Sequence, residues 1–257
     1  MAGVERFVNR KALVTGAASG IARAVADRLA REGAQLALAD RDEKALRATC
    51  DEIAARYGRA PHAILFEAAD HDSCRRMVDE AATKLGALDV VLNIAGVYGR
   101  CRFEDISAAD WARVMDVNLN SLMPIIQAAL PHLIKSGGNI VNTSSLAGVR
   151  GIAYASHYAA AKAGVIGLSQ SLAGEFGPLG VRVNVVCPGG VNTPMTANMA
   201  PVRDPDPSIA FPKPKLRGKR ERAEPQDLAG VYAFLASDDA CFVSGAAINV
   251  DGAQISG

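Results

Sequence analysis

Seven short apolar runs, separated by longer stretches with helical spacing, limit what this chain can fold into more than any other feature. The runs are 11–15 (KALVT), 34–39 (AQLALA), 62–66 (HAILF), 88–92 (LDVVL), 139–143 (NIVNT), 181–187 (VRVNVVC) and 246–250 (AAINV), and they read as buried strands. Helical spacing fills 20–32, 42–57, 73–85, 108–135, 156–176 and 225–236, mostly ended by Gly or begun after Ser, Asp or Pro. Strand alternating with helix requires right-handed crossovers, so the expected fold is α/β: a single domain over 1–257, with a doubly wound seven-stranded parallel sheet and helices on both faces. In such a sheet, ligands bind beyond the carboxyl ends of the strands. The residues that follow each strand are therefore the ones to read for function.

Charge and cysteine usage remove several alternatives. With 28 Lys plus Arg against 27 Asp plus Glu, no overall field favours nucleic acid or an anionic membrane. The cysteines, Cys50, Cys74, Cys101, Cys187 and Cys241, are odd in number and scattered, which opposes a disulfide framework and a zinc site. Charged residues occupy MAGVERFVNRK where a signal peptide would be apolar, and no run reaches the roughly 18 apolar residues of a membrane span. A cytoplasmic protein with reduced thiols is expected.

The first strand runs into Thr15-Gly16-Ala17-Ala18-Ser19-Gly20-Ile21-Ala22. Its glycines and small residues let the backbone approach a pyrophosphate, and the following helix points its N-terminus at that charge. The bland alternative is a tight connection with no ligand, and the position after the first strand weighs against it. Asp40 ends the second strand, twenty residues after Gly20. A carboxylate there can accept hydrogen bonds from the adenosine ribose hydroxyls and would repel a 2′-phosphate, which favours NAD over NADP. Ser19 adds no positive charge, whereas Arg41 partly offsets the repulsion.

Further residues complete an ordered series: Asp70 after the third strand, Asn93-Ile94-Ala95-Gly96 after the fourth, Asn118 within a helix, Ser145 after the fifth strand, Tyr158 and Lys162 as Y-x-x-x-K, and Pro188-Gly189 with Thr193 after the sixth. From about Lys11 to Gly252 this series resembles the short-chain dehydrogenases/reductases, whose fold is of Rossmann type and whose chemistry is hydride transfer between an alcohol or ketone and a nicotinamide dinucleotide. Two positions depart from the family pattern. Ala22 stands where a third glycine is usual, and that position mainly needs a small side chain. Ile94 replaces the second Asn of N-N-A-G and leaves Asn93 in place. By resemblance, Gly16, Ser19, Gly20, Ile21 and Asp40 bind the dinucleotide, Asp70 reaches the adenine amino group, Asn93 lies near the nicotinamide ribose, and Val191 and Thr193 meet the carboxamide and pyrophosphate.

The chemistry follows from residue types. Tyr158 and Lys162 are four apart in a helical segment and share a face, which brings an ammonium near a phenol. A free tyrosine titrates near ~10. Lys162, helped by the oxidised nicotinamide, is expected to lower that value, so that Tyr158 takes the hydroxyl proton as hydride leaves the substrate and returns it in reduction. Lys162 can also hydrogen-bond the nicotinamide ribose. Ser145, thirteen residues before Tyr158, can orient and polarise the reacting oxygen. Asn118, by resemblance, holds a water that links Lys162 to solvent. Ser144 is the rival to Ser145. Tyr154 lacks a lysine four residues on, and His157 is set aside as structural.

Residues 194–222 fall where the family often carries a substrate lid. Six of the ten residues from Lys213 to Arg222 are basic: Lys213, Lys215, Arg217, Lys219, Arg220 and Arg222. They attract an anionic substrate or carrier in one reading and form a solvated loop in the other. Val97 to Phe103 and Ala147 to Ile152 are expected to shape the rest of the pocket. The partner is thus a small alcohol or ketone, with neither nucleic acid nor membrane expected. A 3-oxoacyl thioester reductase, acting on acyl carrier protein or coenzyme A, is the enzymatic alternative, although Asp40 opposes its usual NADPH. A dinucleotide-sensing or RNA-binding protein is the other, opposed by the complete Asn118, Ser145, Tyr158 and Lys162 set. Family resemblance implies a homotetramer packed through 108–135, 156–176 and the C-terminal region.

Overall fold

The computed structural model describes residues 5–199, 201–209, 211–216 and 220–256. Among them, seven strands form one parallel sheet: β1 (Lys11–Thr15), β2 (Gln35–Asp40), β3 (His62–Leu65), β4 (Val90–Asn93), β5 (Asn139–Thr143), β6 (Arg182–Pro188) and β7 (Ala247–Val250). Their order is β3-β2-β1-β4-β5-β6-β7. Leu13 pairs with Ala37 on one side and Val91 on the other. β2 and β3 lie on one side of β1 and β4 to β7 on the other, which opens a crevice at the carboxyl ends of β1 and β4.

Alternation along each strand sorts the core into two layers. Val14, Leu92 and Val141 pack beneath α1 (Gly20–Arg31), α2 (Glu43–Tyr57) and a later helix over Pro225–Ala236, joined by Val25, Leu29, Leu46 and Tyr232. Leu13, Val91 and Ile140 face the other way, against α3 (His71–Leu85) and the helices that follow β4 and β5. Burying each such side chain contributes about 1.5–3 kcal/mol, so both faces of the sheet must be covered for the fold to hold.

All seven expected strands and five of the six expected helices occur within a residue or two of their predicted bounds. The exception is the helix expected over 108–135. It divides into α4 (Ala108–Met115), a wide π turn at Asp116–Asn120, and α5 (Leu122–Ser136). The Ser121 N–H reaches back five residues to the Asp116 carbonyl (2.9 Å), and the Asn118 amide donates to the Val114 carbonyl (2.8 Å). A side chain thus satisfies a carbonyl near the widened turn, a substitution that apolar periodicity cannot register.

Beyond β5 come α6 (Leu146–Arg150), α7 (Ser156–Phe176), α8 (Pro194–Ala197) and α9 (Pro225–Ala236). The short α6 and α8 were not expected. Among the described residues, no helix is long and apolar enough to cross a membrane.

Candidate active site

A cleft of about 750 Å³ opens at the carboxyl ends of the strands, with Gly16, Ser19, Gly20, Asp40 and Thr193 toward one end and Tyr98, Arg100 and His157 toward the other. Backbone geometry at its nucleotide end needs glycine. Gly16 has φ +77°, and a Cβ there would lie 2.9 Å from the Ala95 Cα. Gly20 has φ +57°, with its missing Cβ directed at the Thr193 methyl. The turn is braced from below: buried Thr15 accepts hydrogen bonds at Oγ1 from the N–H groups of Ile94 (3.0 Å) and Ala95 (3.2 Å).

Ser19 stands at the N-cap of α1 without using its side chain as a cap. The first turn of α1 therefore keeps N–H donors that a phosphate can take, and the helix dipole favours negative charge there. Asp40 accepts from the Ala18 N–H (3.0 Å) and the Asp42 N–H (3.1 Å), which fixes its carboxylate at the rim. Ile21 and Arg41 also line this end. A cradle closed to side chains, a helix end with free donors and a carboxylate at the end of β2 fit a dinucleotide.

Five of the expected cofactor contacts, Asp70, Asn93, Val191, Tyr158 and Lys162, do not line the cleft. Asp70 caps α3 instead: its Oδ1 accepts from Asp72 (2.9 Å) and Ser73 (3.1 Å), and these bonds hold its carboxyl below the usual range despite opposing desolvation. Phe66, Glu67 and Ala68 line the wall where Asp70 was expected. Asn93 is buried, and its amide donates to the Asn142 Oδ1 (2.8 Å), which ties β4 to β5. Val191 is buried as well, and its carbonyl accepts the Thr196 hydroxyl (2.8 Å). In each case the residue helps to build the cleft from behind. Sequence order alone cannot tell a wall from its support.

Behind the end lined by Tyr98 and His157, Tyr158 and Lys162 lie on one face of α7 and are both buried. The Lys162 Nζ donates to the Thr143 carbonyl (2.9 Å) and sits 5.8 Å from the centre of the Tyr158 ring. Burial draws the Lys162 ammonium down to about 8. Burial also pushes the Tyr158 phenol up to about 12, with a hydrogen bond from Ser145 acting in the opposite direction. Desolvation is the largest influence on the phenol, and Ser145 is the group that acts to lower it.

Ser145 and Ser144 separate cleanly. Ser144 is buried and donates to the Lys162 carbonyl (2.7 Å), whereas Ser145 begins α6 and turns toward Tyr158. Gly148 lets α6 lie directly on α7, since a Cβ there would meet the Lys162 carbonyl carbon at 2.5 Å. Asn118 uses both of its donors: the amide donates to the Val97 (2.9 Å) and Val114 carbonyls, and Oδ1 accepts from the Val97 N–H (3.3 Å). It joins the π turn to the loop after β4.

Sequence reasoning passed over several supporting groups. Tyr98 packs edge-on against Tyr158 with ring centres 4.8 Å apart, and His157 fills the space beside Gly99, where a Cβ would fall 2.0 Å from Nε2. Tyr154, at φ +64°, accepts at its hydroxyl from the Asp206 N–H (2.9 Å). The C-terminal turn reaches the far wall, where the Gln254 Oε1 accepts from the Gly190 N–H (3.3 Å). The position of Tyr98 two residues after N-I-A-G was a signal that could have been used.

Known proteins resemble this chain over nearly its whole length. A family model described as enoyl-(acyl carrier protein) reductase matches residues 16–253. The meso-2,3-butanediol dehydrogenase of Serratia marcescens is 41% identical over 250 residues, covering 96% of this chain and 95% of its own. A short-chain dehydrogenase from Mycobacterium paratuberculosis, solved with NAD, superposes with a TM-score of 0.87 at 32% identity, covering 96% of this chain and 98% of its own. Another from Burkholderia cenocepacia, solved with NADP, gives 0.85 at 33% identity, with coverage of 96% and 98%.

Proposed function

This chain belongs to the short-chain dehydrogenase/reductase family, and we propose that it interconverts a secondary alcohol and a ketone with NAD, Tyr158 exchanging the hydroxyl proton. The observation that carries the reading is a buried Tyr158, joined by Ser145 and with Lys162 on the same helix face, packed against Tyr98 in the wall of a cleft whose other end is a glycine cradle with Asp40. The similarity to a butanediol dehydrogenase supports a secondary alcohol as substrate.

Each residue then has a task. Ser145 hydrogen-bonds the reacting oxygen and holds it toward Tyr158. Tyr158 accepts the hydroxyl proton in oxidation and returns it in reduction. A bound dinucleotide supplies the hydride acceptor and, when oxidised, a positive charge beside the phenol. Lys162, held by the Thr143 carbonyl, binds the nicotinamide ribose and passes protons onward. Asn118 positions the loop after β4 against Lys162 and holds a relay water. Gly16, Ser19, Gly20, Ile21 and Thr193 cradle the pyrophosphate side, Asp40 binds the ribose hydroxyls, and Glu67 with Ala68 takes the adenine edge that Asp70 was expected to meet.

The preference for NAD rests on Asp40, whose carboxylate opposes a 2′-phosphate, while Arg41 softens that opposition. A 3-oxoacyl thioester reductase would share the catalytic group but normally needs NADPH, so Asp40 weighs against it. Ion pairs and hydrogen bonds occupy part of the basic patch that an RNA-binding role would use. Lys213 pairs with Glu221, Arg220 pairs with Asp227, and Lys215 donates to the Ser256 carbonyl. Arg217 and Lys219 of that patch lie outside the described residues. Segment 194–222 acts as the substrate lid, the molecule assembles as a homotetramer, and it works in the cytoplasm.

The test is NADH formation from a panel of secondary alcohols, repeated with NADP and with Tyr158→Phe. Turnover with NAD that is lost in a folded Tyr158→Phe protein is the expected result. Equal activity in that variant removes Tyr158 from the role.

A further inference from the structure

The substrate end of the cleft carries a cation for which the reaction above has no use. Arg100 lies on the loop between β4 and α4, half-buried in the cleft wall. Two residues before it, Tyr98 rests directly on Tyr158, so the loop that bears Arg100 is fixed against the proposed acid/base. The Arg100 Nε is buried and has no hydrogen-bond partner. Its guanidinium carbon sits 4.6 Å from the centre of the Phe211 ring. An aromatic face offsets part of the charge but is a poor substitute for an oxygen acceptor at the five N–H donors.

The acids nearby are already engaged. Glu104 pairs with Arg102, Asp105 pairs with Arg203, and the Asp110 carboxylate takes the Ser107 hydroxyl (2.6 Å). Among the described residues, no ion pair neutralises Arg100. A half-buried guanidinium with an unmet donor gains most from a planar anion that accepts two parallel N–H bonds. The position of Arg100 also sets it apart from the dinucleotide phosphates, whose expected cradle is at the Gly16–Gly20 end.

We propose that Arg100 binds a carboxylate of the substrate, which makes the substrate class a hydroxy acid and its keto acid. The inference deepens the oxidoreductase reading and rests on it. Arg100 is a specificity-determining residue in this scheme and takes no part in proton or hydride transfer. It also moves the source of anion preference away from the basic stretch at 213–222, where Lys213, Lys215 and Arg220 have partners of their own.

Matched substrates test it: 2-butanol against 3-hydroxybutyrate, and cyclohexanol against 4-hydroxycyclohexanecarboxylate, each assayed with NAD on the parent, Arg100→Met and Arg100→Lys. The parent is expected to prefer the acid in at least one pair. In Arg100→Met, the acid-over-neutral ratio of kcat/KM falls about 10- to 100-fold, chiefly through the KM of the acid, with Arg100→Lys between. No acid preference in the parent overturns the proposal and leaves the oxidoreductase reading standing. An equal fall for both members of a pair also overturns it, because it makes Arg100 a latch for Phe211.

A second measurement does not depend on turnover. Calorimetric binding of cyclohexanecarboxylate to the protein saturated with NADH should be at least about tenfold tighter in the parent than in Arg100→Met. Equal or absent binding overturns the proposal. Carboxylate binding without turnover of any alcohol keeps the Arg100 site and removes the oxidoreductase reading.

Discussion

The two walls of the cleft are held by different kinds of interaction. On the α7 side, Thr15, Asn118, Ser144 and Lys162 are buried and bonded to backbone groups of β4, β5, α4 and α7. A polar chain continues inside, from Asn93 to Asn142 and from Asn142 to Ser169 (both 2.8 Å). On the opposite side, where Asn198 and Met199 line the cleft, the residues that follow, 201–209 and 211–216, contain no helix or strand and are mostly exposed. They are fastened by contacts at the rim: Arg203 to Asp105, Arg102 to the Asp204 carbonyl (3.1 Å), and Lys215 N–H to the Gly252 carbonyl (2.8 Å). Buried, mutually satisfied bonds hold a geometry tightly, whereas exposed pairs contribute little and can be exchanged. The first wall suits chemistry that is the same for every substrate, and the second suits the choice among them.

The contrast breaks most sharply at Lys162. Lys162→Met should lower kcat by about 10²- to 10⁴-fold, the range of a lost acid/base apparatus. Stability should move the other way. Burial draws folded Lys162 down to about 8, against the ordinary lysine value of 10.5. Between those two values the unfolded chain binds more protons, so stability rises with pH across the window. Below pH 8 the charged, buried ammonium carries its full cost, of order 3 kcal/mol. Removing it offsets the lost bond to Thr143, itself worth about 1–3 kcal/mol because the carbonyl is left unsatisfied. Urea unfolding at pH 7 and pH 9.5 should show Lys162→Met at least as stable as the parent at pH 7, with a flatter dependence on pH. A variant that is inactive and also several kcal/mol less stable at pH 7 would make Lys162 a structural pin.

Asp40 sharpens the same wall at its nucleotide end. Asp40→Ser removes the carboxylate that opposes a 2′-phosphate and leaves Arg41 beside it. The ratio of kcat/KM for NAD over NADP should fall by about 10- to 100-fold, in keeping with one charged hydrogen-bonding group. An unchanged ratio transfers the discrimination to other residues of the rim. Gly16→Ala should act next in size. It places a Cβ 2.9 Å from the Ala95 Cα at φ +77°, at a cost of about 1–3 kcal/mol, visible as a lower Tm and weaker NADH binding by fluorescence titration. An unaltered Tm would mean that the turn relaxes, contrary to a wall locked by Thr15.

The same division separates what could be read in the chain from what could not. Strand runs, the glycine turn, Ser145, Tyr158 and Lys162 were legible because each depends on local spacing and residue type. The π turn was not, because it depends on Asn118 supplying a bond to a carbonyl of the preceding turn, and apolar periodicity runs through it unbroken. Asp70, Asn93 and Val191 lie next to the cleft in sequence and face away from it in space. The Asp70 and Asn93 side chains have partners in α3 and β5, and Val191 packs in the core with its carbonyl held by the Thr196 hydroxyl, none of which a spacing rule brings into view. Arg100 was passed over because its meaning depends on which neighbouring acids are already paired.

The smallest effect is expected on the exposed wall, and it tests whether that wall is adjustable at all. Arg203 and Asp105 join the 201–209 segment to the loop before α4 through two hydrogen bonds, 2.9 and 3.1 Å, with Arg203 well exposed. Bidentate geometry raises the value of the pair and exposure lowers it, so the net is about 0.2–1 kcal/mol. Arg203→Ala should therefore leave Tm within a degree or two and kcat within about twofold, while KM for a bulky alcohol shifts a few-fold as the segment gains freedom. Steady-state rates with a small and a bulky alcohol separate the outcomes. If kcat for both falls tenfold or more, closure of this wall is coupled to the placement of Tyr158, and the two sides of the cleft are mechanically one.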